Sequence, residues 1–331
     1  MKEFTIGSND AGQRLDRWMA KTLPLLPAPL AQKYLRLKRV KVNGRRTTDR
    51  ALRLQEGDAV QLYIGDEFFQ RPTAENAFLR LSRPRLDIVY EDEHLLLVNK
   101  SAGLVVHADE GEQVNTLINH IQLYLYQKKE WDPNAEGAFA PALCNRIDRN
   151  TSGIVIAAKS AEALRVMNQK LRDRELEKRY LCVTLGAPRG REGTLKGYLF
   201  KDEGRKQVFV HSSPRPGART ALTRYRTLAV NGPLALLECE LLTGRTHQIR
   251  AQLAHAGHPL LGDGKYGREG DNRRWHRRGQ ALCSWWLAFR FTTDAGALNP
   301  LNGRQWQVER VDFIEELFPG FRLDQIPDAF P

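Results

Sequence analysis

The stretch Asn145-Arg146-Ile147-Asp148-Arg149-Asn150-Thr151-Ser152-Gly153 sets a carboxylate between two arginines. Small polar residues and a glycine follow, and then an apolar run over 154–158. Two cationic neighbours favour the ionised carboxylate. That form suits a nucleophile or an electrostatic stabiliser better than a general acid. A salt-bridged surface Asp in a turn before a strand has the same local pattern, and perturbed carboxylates also occur in purely structural networks. Companions elsewhere in the chain have to decide between the two.

Two further stretches offer such companions. Lys178-Arg179-Tyr180 opens a strand pattern, and Gly244-Arg245-Thr246-His247-Gln248-Ile249-Arg250 opens a short helix. On that helix Ile249 and Leu253 share one face, with His247 and Arg250 opposite. Other chemistries fit less well. His247, His255 and His258 lie across a helix end without the carboxylate–histidine pattern of a zinc site. Gly262-Asp263-Gly264 does not open a helix after a strand, so a nucleotide loop is disfavoured. Ser152 lacks the glycines of a nucleophile elbow. Cys144, Cys182, Cys239 and Cys283 are widely spaced and sit beside apolar residues, as small buried hydrophobes do.

The elements that must position these groups can be read from periodicity. The chain has 331 residues, 41% hydrophobic and 27% charged, with a net charge of +12. Its length suits more than one domain, and its charge suits a polyanionic partner, nucleic acid ahead of membrane. Residues 1–64 hold 13 Lys/Arg against 6 Asp/Glu, so about a fifth of the chain supplies +7 of the +12. There Leu15, Trp18 and Met19 recur at helical spacing, and a second helix over 30–39 sets Leu30, Tyr34 and Leu37 on one face. Lys33, Arg36, Lys38 and Arg39 cover much of the rest. Val40-Lys41-Val42 runs into the hairpin signal Asn43-Gly44, then Arg45. Residues 65–84 lose periodicity and read as a linker, with a second domain over 85–331. That domain carries helices over 116–128 and 160–175, an irregular loop over 127–140, a basic flap over 187–220 and closing strands over 281–291 and 304–311. The N-terminus has no signal-peptide core and no run reaches membrane-spanning length, so a cytoplasmic protein is expected.

The pattern of residues 12–64 resembles the S4 RNA-binding domain. Together with the Asp148 stretch, Lys178-Arg179-Tyr180, the Gly244–Arg250 stretch and Gly257-His258-Pro259-Leu260-Leu261-Gly262-Asp263-Gly264-Lys265-Tyr266-Gly267, it resembles the RluA-type pseudouridine synthases that carry such a domain. Asn145 departs from the family's usual His, and Ser101 stands where a Pro is common. The resemblance implies an α+β catalytic domain with a mixed, largely antiparallel sheet and flanking helices. It implies isomerisation of uridine to pseudouridine, with Asp148 acting at the ribose C1′ while the N1 bond breaks. Tyr180 would stack on the uracil and help remove the C5 proton. Arg250 would pair with Asp148, and Arg146 would fill the space left by the flipped base. Arg149, Lys33, Arg36, Arg39 and Arg45 are the expected RNA contacts. The expected partner is RNA, ribosomal ahead of transfer, with no cofactor, metal or membrane, and monomer is the default state. A non-catalytic RNA-binding or ribosome-assembly protein on the same scaffold is the rival. The joint presence of Asp148, Tyr180 and Arg250 argues against it.

Overall fold

The computed structural model describes residues 1–135, 137, 139–267 and 269–330. Within the irregular loop over 127–140, residues 136 and 138 therefore lie outside the described residues. Contacts divide the chain into two compact units, Met1–Arg85 with His107–Ala140, and Leu86–Val106 with the chain from Pro141 onward.

The first unit contains β1 (Lys2–Thr5), α1 (Leu15–Thr22), α2 (Ala28–Arg36), β2 (Val40–Val42), β3 (Arg45–Arg46), β4 (Ala59–Leu62) and α3 (Leu117–Lys128). Its strands form an antiparallel sheet in the order β1-β4-β2-β3. Leu15, Trp18 and Met19 are buried as their spacing requires. Pro29 falls in the first turn of α2, where its missing N–H costs nothing. The apolar face of α2 differs from expectation: Leu35 is buried and Leu37 exposed. The helix ends at Arg36 and Lys38 turns left-handed (φ 58°), so Leu37 leaves the helical stripe. Asn43 and Gly44 both take positive φ (50° and 77°), the geometry of a type I′ hairpin turn.

Residues 65–84 are more than a connector. They form short turns at Asp66–Phe69 and Ala77–Arg80, burying Phe68, Phe78 and Leu79. The ring of Phe78 packs 5.5 Å from Tyr126 and 5.2 Å from Trp131. This contact explains why 107–140, expected with the second domain, clusters with the first unit.

The second unit comprises β5 (Ile88–Glu91), β6 (Leu95–Lys100), β7 (Ala142–Leu143), β8 (Ser152–Ala158), α4 (Ala161–Arg172), β9 (Leu176–Leu185), β10 (Glu192–Asp202), β11 (Gln207–His211), β12 (Arg219–Asn231), β13 (Leu234–Leu241), α5 (Gln248–His255), α6 (Glu269–Arg274), β14 (Leu282–Phe289), β15 (Gln305–Gln307) and α7 (Asp312–Leu317). Its sheet runs β11-β10-β12-β13-β9-β14-β8-β6-β5, with β15 against β14 and β7 against β8. Among the described pairings only β8 with β14 is parallel, so the unit is α+β with a mixed, largely antiparallel sheet. Every residue of β14 is buried, as a central strand covered on both faces must be. Ser160 caps α4 as expected, its Oγ accepting the Ala163 N–H at 3.1 Å. The expected flap over 187–220 is a hairpin of β10 and β11 that leads into β12.

Gly153 is what lets β14 lie beside β8. Its φ is +108°, and a Cβ there would sit 2.6 Å from the Ser284 backbone nitrogen and carbonyl carbon. Only a residue without Cβ allows that approach while adopting that backbone. Gly153→Ala is therefore expected to destabilise the protein by about 3 kcal/mol or more in urea denaturation. Gly232→Ala, with φ +56° but open space around it, should cost only about 1 kcal/mol. Equal costs would show that the β8–β14 approach is not the constraint.

Candidate active site

The loop from β7 to β8 carries Asp148, and α5 brings Arg250 to it. Arg250 donates from one terminal nitrogen to Asp148 Oδ2 at 2.6 Å. Its Nε and other terminal nitrogen reach Asp263 Oδ2 and Oδ1 at 2.7 and 2.9 Å. Asp263 is fully buried and Arg250 nearly so, while Asp148 keeps 28% of its side chain exposed. Burial opposes the charge on Arg250, but the two carboxylates together raise its pKa further above the usual range. Asp263 is in turn held below the usual carboxylate range, against its burial, by Arg250 and by the Lys265 and Tyr266 backbone N–H groups. The guanidinium is thus gripped from behind in a bidentate fork and presents one N–H pair forward.

Tyr180 lies on β9, opposite Ser284 of β14. Burial pushes its phenol up to about 12, with a hydrogen bond to Ser284 working against the shift. It stays protonated at neutral pH. Arg146 and Arg149 are exposed on either side of the Asp148 loop. Lys33, Arg36, Arg39 and Arg45 are all exposed in the first unit, and among the described residues none of these four pairs with a carboxylate.

Three supports of the site carried little signal in the sequence. Asp263 read as part of a glycine-flanked turn within the Gly257–Gly267 stretch, with no role of its own. Lys100 read only as the end of a strand, yet it is 1% exposed and donates to the carbonyls of Ser101, Leu104 and Arg149 at 2.8–2.9 Å. It ties the loop after β6 to the residue that follows Asp148. Tyr266 hydrogen-bonds His247 Nδ1 at 2.8 Å. Asn145, where the expected pattern is broken, accepts the Ile156 backbone N–H through its Oδ1 at 2.8 Å. The neighbouring Cys144 N–H donates to the Ile156 carbonyl, so the amide side chain completes a ladder that the backbone begins. Among the described residues no group of three or more His, Cys, Asp or Glu is placed to hold a metal ion.

Burial pulls the Lys100 ammonium down to about 7, and the nearby Asp148 charge opposes that shift. Between pH 7 and 10.5 the unfolded chain keeps this proton and the folded protein releases it. Stability then rises with pH across that window, with the desolvation cost present in full below it. The stability difference between wild type and Lys100→Met should vary across the window by at most roughly 5 kcal/mol. A difference flat from pH 7 to 10 would refute the buried titration.

Comparison with known proteins gives the family. The family profile for RNA pseudouridylate synthase matches residues 94–255, and that for the S4 domain matches 13–60. The chain is 32% identical over 261 residues to an RNA pseudouridine synthase of Synechocystis sp., covering 79% of this chain and 76% of that one. It is 35% identical over 232 residues to the ribosomal large subunit pseudouridine synthase D of Zymomonas mobilis, covering 70% and 69%. In fold it is similar to human RNA pseudouridylate synthase domain containing 1, with a TM-score of 0.52 at 18% identity over 76% of this chain and 98% of that one. The chain belongs to the RNA pseudouridylate synthase family, in the group that carries an S4 domain.

Proposed function

We propose that the protein, an RNA pseudouridine synthase by family, converts specific uridines of large-subunit ribosomal RNA to pseudouridine through Asp148. The observation that carries this reading is the Arg250 fork, which holds one oxygen of the partly exposed Asp148 at 2.6 Å and leaves the other, among the described residues, without a hydrogen bond. The reaction exchanges the C1′–N1 bond for a C1′–C5 bond and moves one proton from C5 to N1. Positive character develops at C1′ as the base departs, and an ionised carboxylate stabilises it there, as in retaining glycosidases. Arg250 orients Asp148, and Tyr180 offers a ring to pack on the uracil. Arg146 enters the space left when the nucleotide leaves its stack, and Arg149 contacts the backbone near it.

In this reading the basic face of residues 1–64 holds the RNA, with Lys33, Arg36, Arg39 and Arg45 on phosphates, and the second unit does the chemistry. Ribosomal RNA is favoured because the relative from Zymomonas mobilis is named for the large subunit. No described helix is long and apolar enough to cross a membrane. A monomer acting in the cytoplasm completes the proposal.

Two measurements test it. Chemical pseudouridine mapping of total cellular RNA should lose its protein-dependent sites entirely in Asp148→Asn, and sites that persist would refute the role of Asp148. RNA affinity should fall steeply with salt, with a log–log slope of about −0.7 per phosphate contacted on single strands. Replacing Lys33, Arg36, Arg39 and Arg45 together by Gln should flatten that slope by about 3. An unchanged slope would remove these four residues from the interface.

A further inference from the structure

Asp148 presents its two oxygens to different neighbours. Oδ2 takes Arg250, while Oδ1 faces His247 Nε2 at 3.8 Å, just beyond hydrogen-bond reach. The other ring nitrogen of His247 lies 2.8 Å from the Tyr266 hydroxyl, and that hydroxyl accepts the Val208 N–H at 2.9 Å. Val208 belongs to β11, the outermost strand of the hairpin with β10. The adjacent Lys265 donates from Nζ to the Lys206 carbonyl at 2.5 Å, a second tie to the same hairpin.

The relay uses one of the two His247 tautomers. Having accepted from Val208, the Tyr266 oxygen keeps its own proton, and in that tautomer His247 Nδ1 is its acceptor. Nδ1 then holds a lone pair, and the neutral imidazole carries its proton on Nε2, the atom turned toward Asp148. His247 itself sits in a left-handed conformation (φ 52°) at the start of α5, a backbone that a histidine adopts at a cost.

We infer that Tyr266 and His247 are positioning residues that carry the placement of the β10–β11 hairpin to the free oxygen of Asp148. This rests on the RNA isomerase reading above. RNA seated on the hairpin, which bears Lys196, Lys201 and Arg205, would set Val208 and so the ring of His247. A small inward shift closes the 3.8 Å gap, and Nε2–H then fixes the rotation of the carboxylate about its bond to Arg250. Asp148, Arg250, Asp263, Lys265 and Tyr266 all face the imidazole. Burial lowers its pKa, Asp148 and Asp263 work against that, and Arg250 and Lys265 add to it. The ring is therefore neutral at neutral pH, as the relay requires.

The test uses the full-length protein and an RNA transcript that the wild type modifies, with Kd and the single-turnover rate at saturating RNA measured from pH 5 to 8. Tyr266→Phe should lower the rate about tenfold while Kd changes less than about twofold. Its acidic limb should move to higher pH, because the lost O–H donor had favoured the neutral ring. His247→Gln, which keeps an N–H donor, should recover part of the rate lost in His247→Ala. An unchanged rate in Tyr266→Phe, or a loss confined to Kd or thermal stability, overturns the inference. Asp148→Asn in the same assay separates the two readings. If Asp148→Asn is inactive and Tyr266→Phe is not impaired, only the relay fails. If Asp148→Asn retains full rate, the role of Asp148 in the isomerisation fails and takes the relay with it.

Discussion

The charge on Arg250 is the constraint around which the second unit is arranged. A guanidinium this buried is tolerable only with its donors matched, and removing one partner of such a pair typically costs about 3–5 kcal/mol. Asp263, fully buried, matches two of its nitrogens and is itself satisfied by backbone N–H groups of its own turn. Asp263 thereby fixes the plane of the guanidinium. The remaining nitrogen points one way, and Asp148 lies in that direction. Asp148 is held by a group that has already been fixed by another carboxylate, so its geometry does not depend on solvent-exposed contacts.

The sheet supplies the distances that this arrangement needs. Lys100 at the end of β6, Gly153 at the start of β8 and Ser284 on β14 lie on three neighbouring strands. Lys100 braces the loop from below through the Arg149 carbonyl, and Gly153 lets β14 come close enough for Ser284 to meet Tyr180. The loop that carries Asp148 is thus clamped just beyond that residue, at Arg149 and Gly153. Gln280 adds a third tie, donating to Thr151 at 3.1 Å.

Much of this was legible in the sequence, and the reasons for the gaps are physical. Local signals read well: the Asn43-Gly44 turn, the Ser160 cap and the helical spacing of Leu15, Trp18 and Met19 each depend on residues a few positions apart. Asp148 and Arg250 stood out because they sit in dense, ordered motifs. Asp263 sits in such a motif too but drew no role, because that role is created by a partner 13 residues away on another element. Residues 65–84 read as a linker because their buried aromatics are too few and too irregular to show a period, and their partner Tyr126 comes much later in the chain. Leu37 misled because apolar spacing cannot announce where a helix stops. Asn145 looked like a defect in a motif, whereas an acceptor for the Ile156 N–H is all that the ladder asks of its side chain.

The parallel pairing of β8 with β14 has a consequence in time. Thr151 and Gln280 are 129 positions apart, and Asp148 and Arg250 are 102 apart. Contacts of that separation form late and slowly, because the intervening chain must be made and ordered first. During synthesis Asp148 emerges long before Arg250, Asp263 and β14, and for that interval β8 has an open edge at Ser152 and Gly153. The carboxylate is among the earlier polar groups of its unit to leave the ribosome and among the last to acquire its surroundings. A nascent chain therefore cannot close the Asp148–Arg250–Asp263 arrangement against β14 until Phe289 has been translated.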